Sequence, residues 1–193
     1  MNKEALISSL IEKGWFTYDS FIDPTHCQKL LDEVKALPLK MAKIGKGHLE
    51  HKAFDIRTDS IFWLTENQSE AQSQYLDKVN ELMLLLNQEL YFGLKQFEGH
   101  FARYEQDGFY KKHLDQFANN NERLITVITY LNSPRKGGEL RLYKRDHPEE
   151  VEIDLLPTAG KFVCFLSNQI YHEVKPTEDE RYSLTGWLRT TVP

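Results

Sequence analysis

Residues 99–131 read GHFARYEQDGFYKKHLDQFANNNERLITVITYL, and the fold turns on how this stretch is divided. Asp107-Gly108 and Asn119–Asn121 are turn-formers, and they cut the stretch into three short β-rich runs, His100–Tyr104, Tyr110–Asp115 and Leu124–Leu131. The same punctuation continues through Ser133–Gly138 and Pro157–Gly160, giving further strands at Glu139–Tyr143, Lys161–Leu166 and Arg181–Thr191. Short strands joined by turns, without alternating helices, point to a sandwich or barrel rather than βαβ units.

Upstream of Gly99 the period changes to helical. In Glu4–Gly14, Ala5, Leu6, Leu10 and Ile11 form a stripe that Gly14 ends. Asp23-Pro24 reads as an N-cap with proline in the first helical position, opening a helix with Cys27, Leu30, Leu31, Val34 and Leu37 on its apolar face and Pro38 beyond its end. A long helix is expected from Ser69 to about Leu90, burying Leu76, Val79, Leu82, Met83 and Leu86. Between these helices, Ile44–His48 reads as a loop and Phe54–Trp63 runs into a strand. Trp15, Phe16 and Phe21 read as packing residues of the N-terminal layer.

The 193 residues suit one domain, with no repeat or linker to divide them. Lys+Arg 24 against Asp+Glu 29 leaves a net charge of -5, which gives no field to attract a polyanion, so nucleic acid is not expected. The start, MNKEALISSL, lacks a secretory pattern, and Leu82–Leu86 and Phe162–Leu166 are far shorter than the roughly 20 apolar residues of a membrane span. Cys27 and Cys164 then read as free thiols, and the expectation is a soluble cytoplasmic protein.

Among the seven histidines, His113-Leu114-Asp115 stands out. Residues i and i+2 of a strand share a face, so both side chains can reach one ion. Two imidazoles and one carboxylate fill one face of an octahedron and leave positions open, the arrangement that suits non-haem Fe(II). A His-x-Asp match is expected by chance roughly 0.4 times in such a chain, so the motif needs a partner. His172, in the extended run Ile170–Val174, is the best third ligand. His48-Leu49-Glu50 and His147-Pro148-Glu149 fall in a loop and a charged turn and read as solvated groups; His26, His51 and His100 read as partly exposed polar residues.

Counting by twos from Arg181 places Ser183, Thr185, Trp187 and Arg189 on one face and Tyr182, Leu184, Gly186 and Leu188 on the other. The first face is polar for a barrel interior. A buried guanidinium is costly unless paired, and a carboxylate matches it best through two parallel hydrogen bonds. Tyr130 ends the face Leu124, Thr126, Ile128, Tyr130 and adds a hydroxyl, so an apolar slot closed by Arg181 and Tyr130 suits a small dicarboxylate. The alternative is that Arg181 pairs with a surface acid such as Asp179.

Together these residues resemble the 2-oxoglutarate- and Fe(II)-dependent dioxygenases, and within them the procollagen- and hypoxia-inducible-factor-type prolyl hydroxylases and their bacterial relatives. The resemblance covers about Phe54 to Trp187. It rests on His113, Asp115, His172 and Arg181 at family spacing, on Tyr104, Tyr130-Leu131-Asn132 and Gly137–Arg141, and on Thr185-Gly186-Trp187. Asp55–Trp63 matches an Ile-Arg-x-Asp-x-Ile-x-Trp signature, and Arg123 falls where the group carries an arginine near the substrate.

The resemblance implies an α+β, mainly β fold. A double-stranded β-helix, or jelly roll, would occupy 54–66 and 99–192, with supporting helices in 1–43 and 69–90. Leu124, Ile128, Leu140, Leu142, Phe162, Cys164 and Val174 would fill its core. It implies a metal held by His113, Asp115 and His172. The 2-oxoglutarate would be bound by Arg181, Tyr130 and Tyr104 in a slot lined by Ile128, Leu140, Val174 and Trp187, with O2 as co-substrate and ascorbate as an accessory reductant. Arg57, Asp59 and Arg123 would meet a protein substrate carrying the target proline, a translation factor among the candidates, under a lid at Ile44–Trp63. The alternatives are a non-prolyl or small-molecule substrate at the same iron site, or a jelly-roll binding protein without turnover.

Overall fold

The structure, a computed structural model, describes residues 1–42, 55–65, 69–116 and 122–191. Among the described residues three helices, α1 (Lys3–Glu12), α2 (Pro24–Ala36) and α3 (Glu70–Leu90), pack as one layer. Each begins where a side chain satisfies a free backbone N–H: Asn2 accepts from Ala5, Asp23 from His26 and Ser69 from Gln72. In α1 only Leu6 and Leu10 are buried. Ala5 and Ile11 face solvent, because Ile11 lies about 100° around the helix from Leu10.

The strands are β1 (Trp15–Tyr18), β2 (Lys40–Met41), β3 (Ser60–Trp63), β4 (Gln96–Tyr104), β5 (Tyr110–His113), β6 (Arg123–Tyr130), β7 (Leu140–Tyr143), β8 (Val151–Leu155), β9 (Phe162–Leu166), β10 (His172–Val174) and β11 (Arg181–Arg189). Among the described residues they form two sheets, seven-stranded β1-β9-β6-β11-β4-β3-β2 and four-stranded β5-β10-β7-β8, with every pairing antiparallel. Of the expected Phe54–Trp63 strand only Ser60–Trp63 is observed, as β3, while Phe54, the Ile44–His48 loop, His48, His51 and the Asn119–Asn121 turn lie outside the described residues. β1 and β2 add strands to a region expected to be helical support, and β8 has no counterpart among the expected strands. All three are short, and β8 exposes Val151, so none shows a sustained alternation.

The large sheet is apolar on both faces, and this corrects the expectation of a single core. Ile125, Val127, Phe162, Cys164, Leu184 and Leu188 pack against α2 and α3. On the opposite face Ile128, Tyr130, Val163 and Phe165 meet Leu140, Leu142 and Val174 of the small sheet. Phe162 and Cys164 therefore face the helices, since the period of two sends their neighbours Val163 and Phe165 inward. Leu124 also leaves the expected inner face. Leu188 pairs with Ile125 but Arg189 with Arg123, so the register shift skips Leu124, whose side chain packs on the helix side. Trp15, expected in the N-terminal layer, lies instead in the core between the sheets.

Candidate active site

The two sheets close around a pocket at one end of their shared core. β5 carries His113 at its last position, and Asp115 follows two residues beyond the strand. β10 pairs with β5 so that His172 stands directly opposite His113. His113 Nε2 lies 3.4 Å from Asp115 Oδ1, and His172 Nε2 lies 3.6 Å from Oδ2. Among the described residues these three form the one group whose ligand atoms all lie within 4.8 Å of one another.

Backbone carbonyls fix the ring orientations. His113 Nδ1 is 2.7 Å from the Lys111 carbonyl and His172 Nδ1 is 3.1 Å from that of Ile170. A ring nitrogen facing a carbonyl must carry the proton, so in the neutral rings both Nε2 lone pairs point at the shared centre. Burial pushes His172 down to about 4, helped by neighbouring His113 and opposed by Asp115. For Asp115 burial alone would raise the carboxyl, but His172, His113 and the Thr126 hydroxyl together hold it well below the usual carboxylate range. Thr126 Oγ1 donates to Asp115 Oδ2 at 2.7 Å and sits 2.9 Å from Ser167 Oγ. Two neutral nitrogen donors and one ionised oxygen donor suit a divalent transition metal.

Arg181 opens β11 opposite Tyr104 and is only 2% exposed. Its guanidinium lies 5.0 Å from the ring centre of Tyr104 and 4.7 Å from that of Tyr130. Among the described residues no carboxylate pairs with it. Asp179, the alternative partner, is taken by Arg135 at 2.8 and 2.6 Å. Arg181 Nε is buried without a hydrogen-bond partner, and the Tyr130 hydroxyl is buried without a hydrogen bond of ordinary geometry. Burial raises the Tyr130 hydroxyl above its usual range, against the pull of the nearby guanidinium. A buried, unpaired cation beside orphaned polar atoms needs an anion. The site also needs Gly138: a β-carbon there would lie 3.1 Å from Arg181 Cδ, at a φ of +72°.

Three more charged side chains, Arg57, Asp59 and Arg123, line the pocket. Arg57 clasps Asp59 through Nε at 2.6 Å and Nη2 at 2.5 Å, and lies 4.4 Å from the ring centre of Tyr110. Tyr110 in turn stacks on His113 with centroids 3.6 Å apart. Arg123 sits 3.5 Å over the Trp187 ring while donating to Glu98 Oε2 from Nε at 3.2 Å and Nη2 at 3.1 Å.

The comparison with known proteins agrees with this geometry. The family model described as 2OG-Fe(II) oxygenase superfamily matches residues 99–189, which contain His113, Asp115, His172 and Arg181. A crystal structure of a Pseudomonas putida prolyl-4-hydroxylase superposes with a TM-score of 0.87 at 36% identity, covering 99% of this chain and 100% of that one. The chain belongs to the 2OG-Fe(II) oxygenase superfamily. A Trichoplax adhaerens prolyl hydroxylase, solved with a hypoxia-inducible-factor peptide fragment, shares the fold at TM-score 0.82 and 24% identity, covering 97% of this chain and 89% of that one. A Caenorhabditis elegans hypoxia-inducible factor prolyl hydroxylase is 29% identical over 95% of this chain and 28% of its own length. Human Egl nine homolog 1 is 28% identical over 95% of this chain and 46% of its own. The chain thus spans less than half the length of these curated relatives.

The oxygenase pocket gathers most of the residues singled out in the sequence. His113, Asp115, His172, Arg181, Tyr104, Ile128, Leu140, Val174, Trp187, Arg57, Asp59 and Arg123 all line it, whereas Tyr130 stands behind Arg181 and does not. Trp63, His100 and Tyr110 also line it and escaped the sequence reading. The signal was present for His100, since counting by twos from Tyr104 puts Ala102 and His100 on the same face of β4. Expected to be partly exposed, His100 is 3% exposed because β3 and β11 flank it; His26, likewise expected outside, is buried with Nε2 2.7 Å from the Ala71 carbonyl.

Proposed function

We propose that this chain is an Fe(II)- and 2-oxoglutarate-dependent dioxygenase that hydroxylates a prolyl residue of a protein substrate. The observation that carries the reading is the pairing, in one pocket, of an inward-facing His113/Asp115/His172 set with a buried Arg181 that no carboxylate neutralises. His113, Asp115 and His172 would hold the metal, which supplies O2 activation that acid–base side chains cannot provide. One oxygen atom enters the C–H bond of the substrate and the other enters succinate as 2-oxoglutarate loses CO2.

The chain's own groups do the binding. Arg181 takes the distal carboxylate, with Tyr130 holding the guanidinium from behind and Tyr104 facing it across the strand pair. Ile128, Leu140, Val174 and Trp187 exclude bulk water. Thr126 keeps Asp115 oriented and ionised. Arg57, Asp59 and Arg123 stand at the mouth, where a polypeptide would enter; the proposed lid over Ile44–Trp63 falls largely outside the described residues. Ascorbate would serve as an accessory reductant.

The two antiparallel sheets read as a double-stranded β-helix, and we assign residues 1–193 to one oxygenase domain. Two buried free cysteines suit a reducing cytoplasm, and no described helix is long and apolar enough to cross a membrane. A prolyl substrate is favoured by the Pseudomonas putida relative, and a translation factor remains among the candidate targets. Succinate release that depends on Fe(II), 2-oxoglutarate and a proline-containing protein, with one oxygen atom gained on proline by mass spectrometry, tests the reading. Succinate release with a metabolite, or ligand binding with no turnover, would overturn it.

A further inference from the structure

Among the described residues, His100 is the one pocket imidazole that the proposed metal site does not use. It sits in the middle of β4, paired with Thr185 on one side and Trp63 on the other. Its ring is flanked by the indoles of Trp63, at 4.8 Å, and Trp187, at 5.5 Å. Nδ1 is sealed from solvent and no hydrogen-bond partner reaches it, which leaves Nε2 as the atom on the pocket side. Holding an unpartnered polar ring in an aromatic wall is unfavourable unless something else completes it.

Burial pushes the ring down to about 4; Asp59 and Asp115 oppose this, and Arg57 and Arg123 reinforce it, so it is neutral at ordinary pH. A neutral imidazole has one N–H and one lone pair, and the proton does most good on the nitrogen that can meet a ligand. Tyr104, opposite Arg181, lies four residues further along β4, roughly 14 Å at ~3.4 Å per residue. Trp63, next to His100, is 42% exposed. His100 therefore stands toward the mouth, beside whatever enters past Trp63, and away from the sealed carboxylate end.

Resting on the dioxygenase reading above, we propose that His100 is a substrate-contacting specificity residue whose Nε2–H donates to a main-chain carbonyl oxygen of the polypeptide beside the target residue. Such a contact recognises a peptide backbone and is indifferent to neighbouring side chains. It gives the pocket-side nitrogen of this enclosed ring a partner that the protein itself does not supply.

Capped peptide pools centred on proline or on alanine test this. Each is titrated under nitrogen against the Fe(II)- and 2-oxoglutarate-loaded protein, with tryptophan fluorescence as readout. His100→Phe keeps a flat ring between the indoles and removes the donor; it should raise the peptide Kd roughly tenfold. His100→Gln restores an N–H and should recover most of the affinity, while the Kd for 2-oxoglutarate stays at the wild-type value in both. Equal peptide affinity in wild type and His100→Phe overturns the inference. Equal loss in both variants does so too, since it marks packing alone, and so does a shift in 2-oxoglutarate affinity in place of peptide affinity. Preference of the wild type for the alanine pool would sink the prolyl reading separately, and the variant pattern on that pool would still decide the role of His100.

Discussion

Arg181 shows how far a single position can be read. Its distance from His172 and its place in an alternating strand were visible in the sequence, and so was the need of a buried guanidinium for an anion. The alternative partner, Asp179, was equally visible, and only the fold shows Arg135 occupying it. Tyr130 was read beside it from the strand face and Tyr104 through the resemblance, but that both rings pack against the guanidinium, from two other strands, is visible only in the fold. Replacing Arg181 with Lys keeps the charge but loses the planar fork, so the KM for 2-oxoglutarate should rise about tenfold or more while metal affinity stays near wild type. An unchanged KM would place the co-substrate elsewhere. Thr126 was read only as a member of a strand face, yet its hydroxyl orients Asp115. Thr126→Val keeps the shape and removes the donor. Calorimetric titration should then show metal affinity weakened roughly tenfold, with 2-oxoglutarate binding to the metal-loaded protein retained.

Strands that alternate over many residues were legible, and those defined only by their partners were not. β4, β6 and β11 run over eight or nine residues and β9 is an unbroken apolar run, so all four could be read directly, whereas four-residue β1 and two-residue β2 exist because β9 and β3 offer them an edge. The bulge that turns Leu124 toward the helices is equally a property of the pair, since it is set by the β11 register. One glycine enforces the closeness of the central strands. Gly186 pairs with Gly99, and a β-carbon at 186 would lie 2.4 Å from the Glu98 carbonyl oxygen and 2.6 Å from the Phe97 ring. Backbone cannot yield as a flexible side chain would. Gly186→Ala should therefore force β11 away from β4, lowering stability by about 1–3 kcal/mol and shifting the urea midpoint downward. A midpoint equal to that of wild type would mean the pair has slack that the close approach denies.

At the scale of the molecule, helices, large sheet and small sheet stack as three layers with two cores, and the pocket belongs entirely to the inner one. Among the described residues the helices contribute no pocket residue; they cover the outer face of the large sheet and so let its inner face carry charge. Burying titratable groups there ties global stability to pH, and His100 offers the clearest case. Its pKa falls from an ordinary 6.5 to about 4 on folding, chiefly through burial. The unfolded chain binds this proton more readily, so the neutral ring's contribution is complete above pH 6.5 and is lost as pH falls from 6.5 through about 4. At about 1.4 kcal/mol per pKa unit, the loss is on the order of 3 kcal/mol for a ring this enclosed. Urea unfolding from pH 7.5 down to about 4 should show wild type losing stability more steeply than His100→Phe. Arg57, Asp59, Asp115 and Arg123, which face the ring, are common to both proteins and cancel in the difference. Parallel curves would mean that His100 takes up its proton in the folded state as easily as in the unfolded chain, and that the wall around it admits water.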